Sequence, residues 1–142
     1  MQHLLHGLER HGIGRRAMTE EDFWLICANE QVEIVWSQRR YAFYFTDPLL
    51  NIKGIVLPDR LSGPKLLFAM FHELAHHFLH GGDEPCIAFQ GLSDSKCEAE
   101  ADAVALVALM PRKILPQLEW CDIEAIGPKK WKARERLALY GI

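Results

Sequence analysis

Apolar residues at helical spacing predict three helices in the central part of the chain. The first begins after Thr19, a suitable N-cap, and its first turn is acidic, which suits the positive end of the helix dipole. The second has Pro64 in its first turn and is stopped by two glycines, and the third ends before Pro111. The predicted helices cover residues 20–30, 64–79 and 95–110.

Between the first two helices lie three short segments rich in β-branched and aromatic residues, which is typical of strands. Turn signals such as Asp47-Pro48 separate them, and the short links favour antiparallel pairing. The expected fold class is α+β: a helix-rich single domain with a small three-stranded, mainly antiparallel sheet packed against the helix at 64–79. The predicted strands cover residues 32–36, 40–46 and 53–57.

The remaining segments carry weaker patterns. We expect residues 1–18 to form an N-terminal arm or short helix, and residues 112–142 a C-terminal helical segment. The polar stretch 81–94, rich in Gly, Asp and Pro, is expected to be a loop. A length of 142 residues suits one domain, so residues 1–142 are assigned to a single unit.

Composition narrows the class of protein. Hydrophobic residues make up 49% and charged residues 25%, an ordinary globular balance. A formal net charge of −3 gives no reason to expect direct nucleic-acid binding, and no apolar run is long enough to predict a membrane span. The N-terminus resembles no signal peptide, and the 4 cysteines are widely spaced without a C-x-x-C pair. These features predict a cytoplasmic protein, and its oligomeric state is not indicated.

The second predicted helix carries the motif H-E-x-x-H at His72, Glu73 and His76. Histidines four residues apart lie one turn apart on the same face, so both can bind one ion. Glu73 lies beside them, where it can polarise a metal-bound water and accept its proton. The apolar neighbours predict a buried helix, in which metal binding would satisfy these polar groups. A helix with structural histidines and no metal is the alternative.

A catalytic zinc site needs a third protein ligand. The third predicted helix places Glu98 and Asp102 one turn apart on one face, so Glu98 is the favoured ligand. Asp102 is expected to accept the free N–H of a ligating histidine and hold its ring in place. Two alternatives stay open: Glu98 instead forms a capping box with Ser95, or Glu100 is the ligand.

Two further histidines follow the motif. His80 continues the face of the ligand pair, but eight residues along a helix is about 12 Å, so we expect it to line the cleft or support a ligand rather than bind the ion. His77 points about 100° away from His76 and is expected to serve packing or the surface.

Two stretches of this sequence resemble the ImmA/IrrE-type zinc metallopeptidases. Residues 68–80 read F-A-M-F-H-E-L-A-H-H-F-L-H, and residues 98–111 resemble the family's E-x-E-A-N/D-x-F-A-x-x-L-L-M-P, with Val104 where the family usually has Phe. The resemblance implies a gluzincin-like site with one Zn²⁺ on His72, His76 and Glu98, and with Glu73 as general base. It also implies an intracellular enzyme whose partner is a protein substrate, often a helix-turn-helix repressor that is cleaved once under stress.

The expected function is therefore that of a zinc-dependent intracellular endopeptidase acting on a regulatory protein. The first alternative is a non-catalytic, metal-stabilised module that binds a regulatory partner. Glu73 favours the enzyme, because binding alone needs no base. The second alternative is a hydrolase that cleaves an amide in a small metabolite.

Overall fold

The computed structural model of the protein describes residues 8–80, 86–89 and 95–110. Within these residues, a short 3-10 turn at Glu9–His11 is followed by three helices and four strands. In chain order these are α1 (Glu20–Glu30), β1 (Glu33–Ser37), β2 (Phe43–Asp47), β3 (Ile52–Pro58), α2 (Gly63–His80), β4 (Cys86–Phe89) and α3 (Ser95–Leu109). The predicted C-terminal segment 112–142 lies outside the described residues, and the assignment of the whole chain to one domain stays a prediction.

The start of α1 is stabilised by a capping box. The Thr19 hydroxyl accepts a hydrogen bond from the Asp22 amide, while the Asp22 carboxylate accepts one from the Thr19 amide. Arg16 adds a two-pronged ion pair, with both guanidinium-to-carboxylate distances at 2.7 Å. The helix ends at Gln31, whose backbone is left-handed at φ 58°. These bounds match the predicted helix.

The four strands form one mixed sheet in the order β1-β3-β2-β4. β2 is antiparallel to both of its neighbours, β3 and β4, whereas β1 runs parallel to β3. The α+β class, with helices packed on a mainly antiparallel sheet, is confirmed. Two details of the sheet differ from the prediction, and both concern strand pairing.

First, the sheet has four strands rather than three. Strand β4 lies inside the stretch 81–94 that was expected to be loop. The short run Cys-Ile-Ala-Phe supplies it, and the run pairs with the otherwise open edge of β2. Second, β1 does not pair with the next strand in sequence. Because the β2–β3 hairpin covers one edge of β3, β1 joins the other edge, where it runs in the same direction as β3.

The core lies where α2 packs against the sheet on one side and against α3 on the other. Phe71 and Met70 from α2 and Tyr44 and Leu57 from the sheet are at most 1% exposed. Helix α3 contributes small residues that are fully buried, which lets the two helix backbones approach closely. These residues are Ala101, Ala103, Ala105 and Ala108. The close approach brings the acidic first turns of α3 next to the motif on α2.

No helix in the described ranges combines the length and apolarity needed to cross a membrane.

Candidate metal centre

The H-E-x-x-H motif lies in the most buried part of α2. His72 is 2% exposed, and Glu73 and His76 are each 1% exposed. Apolar neighbours on α2 pack against the sheet and α3, so these three polar side chains are enclosed with them. Burying polar groups in this way is costly unless they have strong partners, which are supplied from α3.

The carboxylate of Glu98 lies between the two histidines. Its Oε2 is 3.1 Å from His72 Nε2, and its Oε1 is 3.0 Å from His76 Nε2. One ligand atom from each of the three residues can be chosen so that all lie within 4.8 Å of one another. The structure thus brings together the three predicted ligands from two different helices.

This donor set fits a divalent cation. A neutral imidazole nitrogen and a carboxylate oxygen both offer lone pairs, so their close approach needs a proton or a metal ion between them. Two imidazoles and one carboxylate are a common ligand set of catalytic zinc, which keeps a fourth position for water. The burial of the group strengthens its interaction with a cation, because water does not screen it.

Asp102 lies behind His72. Its Oδ1 is 2.9 Å from His72 Nδ1, the ring nitrogen on the side opposite the Glu98 contact. Burial alone lowers the pKa of His72, but the hydrogen bonds with Asp102 and Glu98 outweigh it and raise that pKa to about 10. When a metal ion displaces the proton at Nε2, an acidic partner at Nδ1 would keep the remaining proton there and leave the Nε2 lone pair for the ion.

Glu73 occupies a different position from the three candidate ligands. Its Oε1 is 3.9 Å from His72 Nε2, and its Oε2 has no hydrogen-bond partner among the residues that the structure describes. Burial raises the pKa of the Glu73 carboxyl to about 8. The positive charge of His72 lowers this pKa, whereas the negative charge of Glu98 raises it further. A carboxyl group with a pKa near neutrality can both accept and release a proton at physiological pH.

The sequence left two alternatives to Glu98 as the third ligand: Glu100 as the ligand, or Glu98 in a capping box with Ser95. Glu100 is not a member of the group that could hold an ion. The Glu98 carboxylate lies beside the histidines, and the side chain of Ser95, its proposed capping partner, is outside the described part. The side chain of His80 is also outside that part, so its expected place in the cleft stays a prediction.

His77 has a role that the sequence did not indicate. Its Nδ1 is 3.1 Å from the Tyr44 hydroxyl on β2, and its Nε2 is 3.3 Å from Glu30 Oε2 at the end of α1. His77 therefore links three elements through polar contacts, while Tyr44 itself is 1% exposed. No sequence pattern could have revealed this, because Glu30, Tyr44 and His77 are far apart along the chain.

Comparison with protein-family models gives a match. The family model for Peptidase M78, described as the IrrE N-terminal-like domain, matches residues 35–137. No curated protein sequence matches the chain closely enough to add a named relative. The matched range spans well over half of the chain and includes the whole candidate metal centre. The chain therefore belongs to the IrrE N-terminal-like family of peptidases.

Proposed function

We propose that the protein is a zinc-dependent endopeptidase that cleaves a regulatory protein at one site, such as a helix-turn-helix repressor. The observation that carries this proposal is the buried group of His72, His76 and Glu98 with Glu73 beside it. Membership of a peptidase family supports peptide hydrolysis as the reaction. The repressor as substrate follows from the resemblance to ImmA/IrrE-type enzymes and needs its own test.

In this proposal His72, His76 and Glu98 would hold the zinc ion. A bound zinc ion lowers the pKa of a coordinated water and polarises a carbonyl group. Glu73 accepts the proton from the attacking water and passes it to the leaving amine, for which its raised pKa is suited. Asp102 holds the His72 ring in the orientation that directs Nε2 to the site.

The metal part of the proposal is tested by elemental analysis. We expect about one zinc per wild-type chain and a marked loss of zinc in Glu98→Ala. Glu100→Ala is the matched control, because it removes the same side chain on the same helix but outside the group. Equal zinc in wild type and Glu98→Ala would exclude Glu98 as the ligand. Absence of zinc from the wild type, even after zinc is added, would rule out the metal centre.

The catalytic part is tested with Glu73→Gln. This variant should bind zinc as the wild type does and cleave no substrate, because an amide cannot accept the proton. The substrate to try first is a purified helix-turn-helix repressor, with products identified by intact mass. A single cut by the wild type and none by Glu73→Gln is the expected result. Cleavage by Glu73→Gln would refute the role of this residue.

A non-catalytic binding module makes a different prediction for the same pair of proteins. Wild type and Glu73→Gln would then both bind the repressor, and neither would cleave it. Two observations favour the enzyme: the family match, and the buried Glu73 Oε2, which has no hydrogen-bond partner among the described residues. Such an oxygen is costly to retain in a protein that only binds.

A further inference from the structure

Strand β1 forms one edge of the sheet, and its outer side is not covered by any other described element. Natural proteins usually protect such an edge with proline, lysine, a bulge or a covering loop. The strand reads Glu-Ile-Val-Trp-Ser: it contains no proline or lysine, and its one charged residue, Glu33, stands at its first position. Val35 and Trp36 are each 45% exposed, although both are large apolar side chains. Within the part of the chain that the structure describes, no strand pairs with this edge, and its apolar side chains are partly exposed.

The hydrogen bonds of β1 show which backbone groups face outwards. The Ser37 carbonyl accepts a hydrogen bond from the Asp59 amide, 2.9 Å away, so the polar groups of Ser37 point towards β3. Along a strand these directions alternate with each residue, so those of Ile34 and Trp36 point away from the sheet. Two amides and two carbonyls are thus presented at the free edge.

An exposed aromatic pair lies next to this edge. Trp24 on α1 is 37% exposed, and its ring lies 6.4 Å from that of Trp36. Ile34 and Trp36 share one face of β1, because side chains alternate along a strand. An added strand at this edge would therefore place side chains against Trp24 and Trp36 and exclude water from both.

We propose that the β1 edge binds a second copy of this chain, with the two β1 strands antiparallel around a two-fold axis at Val35. In this register Ile34 of one copy lies opposite Trp36 of the other, and the outward amides and carbonyls of this pair face each other. Val35 lies opposite its own symmetry mate in a non-hydrogen-bonded position. Every outward backbone group of the strand then has a partner.

The charges at the ends of β1 favour a second copy in this antiparallel orientation. Glu33 begins the strand, and Arg39 and Arg40 follow its end; all three are exposed. Glu33 and Arg39 form no ion pair with any residue that the structure describes. In the antiparallel register Arg39 of one copy approaches Glu33 of the other, whereas a parallel pair would place like charges together.

A dimer formed through β1 would not cover the candidate metal centre. Strand β3 separates it from β2, the strand that carries Tyr44 next to the active-site helix. A second copy at β1 therefore leaves the candidate metal centre accessible. A five-residue strand with a few aromatic side chains is a small interface, so we expect a dimer dissociation constant on the order of 10 μM.

Sedimentation velocity of the zinc-loaded full chain, from about 1 to 300 μM, tests the proposal. The wild type should change from monomer to dimer over this range, and Val35→Lys should stay monomeric, its dissociation constant raised at least tenfold, because two ammonium groups meet on the axis. Leu49→Lys is the control, since Leu49 is 91% exposed in the β2–β3 turn and should leave the dimer intact. Unchanged zinc content shows that the variants are folded.

Cross-linking tests the register and does not depend on a destabilising substitution. In the Val35→Cys variant, the Cα atoms of the two introduced cysteines, one in each copy, would lie about 4.5 Å apart, which is within disulfide range. This variant should form a covalent dimer after mild oxidation with diamide. Ser37→Cys is the matched control on the same face of the strand. In the proposed register its two copies lie about 13 Å apart and should not link.

Three results would overturn the proposal. One is a wild type that stays monomeric at all concentrations, and another is a dimer that Val35→Lys does not affect. The third is slow hydrogen exchange at the Ile34 and Trp36 amides in the dilute monomer, since this would mean that residues of the same chain, such as 112–142, cover the edge. Equal cross-linking of Val35→Cys and Ser37→Cys would reject the register.

Discussion

At the scale of single residues, the function of the candidate site depends on how each polar group is oriented inside a buried helix. Glu98 supplies one oxygen to each histidine, so it spans the two turns of α2 that carry them. Asp102 contacts the opposite nitrogen of His72 and prevents its ring from turning away. Positions one turn apart on α3 thus make different contacts: Glu98 lies between the two histidines, and Asp102 contacts His72 from the other side.

The contact between Asp102 and His72 leads to a prediction for Asp102→Asn. The amide keeps the shape of the side chain but loses the charge that favours the required proton position on His72. We expect zinc affinity to fall by about 10- to 100-fold, measured by competition with a chromogenic chelator. Asp59→Asn, an exposed substitution away from the site, is the control. Unchanged affinity in Asp102→Asn would mean that Asp102 does not support the ligand.

At the scale of secondary-structure elements, α1 and the β2–β3 hairpin depend on particular local contacts. Helix α1 starts at a capping box reinforced by Arg16, and the hairpin places Phe45 directly opposite Gly54. These contacts stabilise elements that carry no catalytic group. They matter because α1 and the sheet position α2, the helix with the candidate metal centre, from the side opposite α3.

The Arg16–Asp22 contact predicts how stability depends on pH. The hydrogen bond from Arg16 holds the pKa of Asp22 well below its usual range, against the effect of burial. A carboxyl group with a depressed folded pKa contributes stability above its unfolded pKa, near 4, and loses it as the pH falls. The free energy of unfolding should therefore decrease below about pH 5.

Asp22→Asn tests this assignment by urea denaturation at pH 7 and pH 3. At pH 7 the free energy of unfolding of the variant should be about 1 kcal/mol lower than that of the wild type, as expected for a weakened helix cap. Between pH 7 and pH 3 this free energy should decrease less in the variant than in the wild type. Glu21→Gln, one residue earlier in the same exposed turn, is the control. An equal acid dependence in wild type and Asp22→Asn would contradict the prediction.

Gly54 is the position in the hairpin where a side chain has no room. A Cβ atom there would lie 2.3 Å from Cζ of Phe45, inside contact distance. Gly54→Ala should destabilise the protein by about 1–3 kcal/mol, because Phe45 must leave its rotamer. In Gly54→Ala combined with Phe45→Ala, the cost of adding the methyl group should largely disappear. A double-mutant cycle by urea denaturation measures this coupling, and additive costs would show that Phe45 is not the obstacle.

At the scale of the whole molecule, the candidate metal centre joins the two helices that form the core. His72 and His76 belong to α2, whereas Glu98 belongs to α3. A zinc ion bound by all three would therefore cross-link α2 and α3. Without the ion, the structure must bury these polar groups with no cation to balance their lone pairs and negative charge, which is a weaker arrangement.

This connection predicts that zinc stabilises the folded protein. With free zinc about 1,000-fold above its dissociation constant, binding adds about 4 kcal/mol and should raise the melting temperature by about 10 °C. Glu98→Ala should melt at the same temperature with zinc and with chelator, because the ion no longer joins the helices. Differential scanning calorimetry of both proteins measures the effect. A wild type insensitive to chelation would show that the fold does not depend on the metal.

The sequence alone determined the features that depend on local order along the chain. The cap at Thr19 and the proline and glycine signals predicted the three helices almost to the residue, and the strand segments were found within a few residues. The motif of His72, Glu73 and His76 could also be identified from the sequence, because helical spacing by itself places two histidines on one face. Choosing Glu98 over Glu100 also relied on this periodicity.

The tertiary structure decided everything that depends on contacts between distant segments. Strand β4 pairs with the edge of β2 that β3 leaves open. Strand β1 pairs in parallel with β3 on the edge that β2 does not cover. The link from Glu30 through His77 to Tyr44 joins three elements that no local pattern connects. Local sequence encodes the periodicity and the ends of an element, whereas pairing partners are chosen by which surfaces remain unburied once all elements have packed.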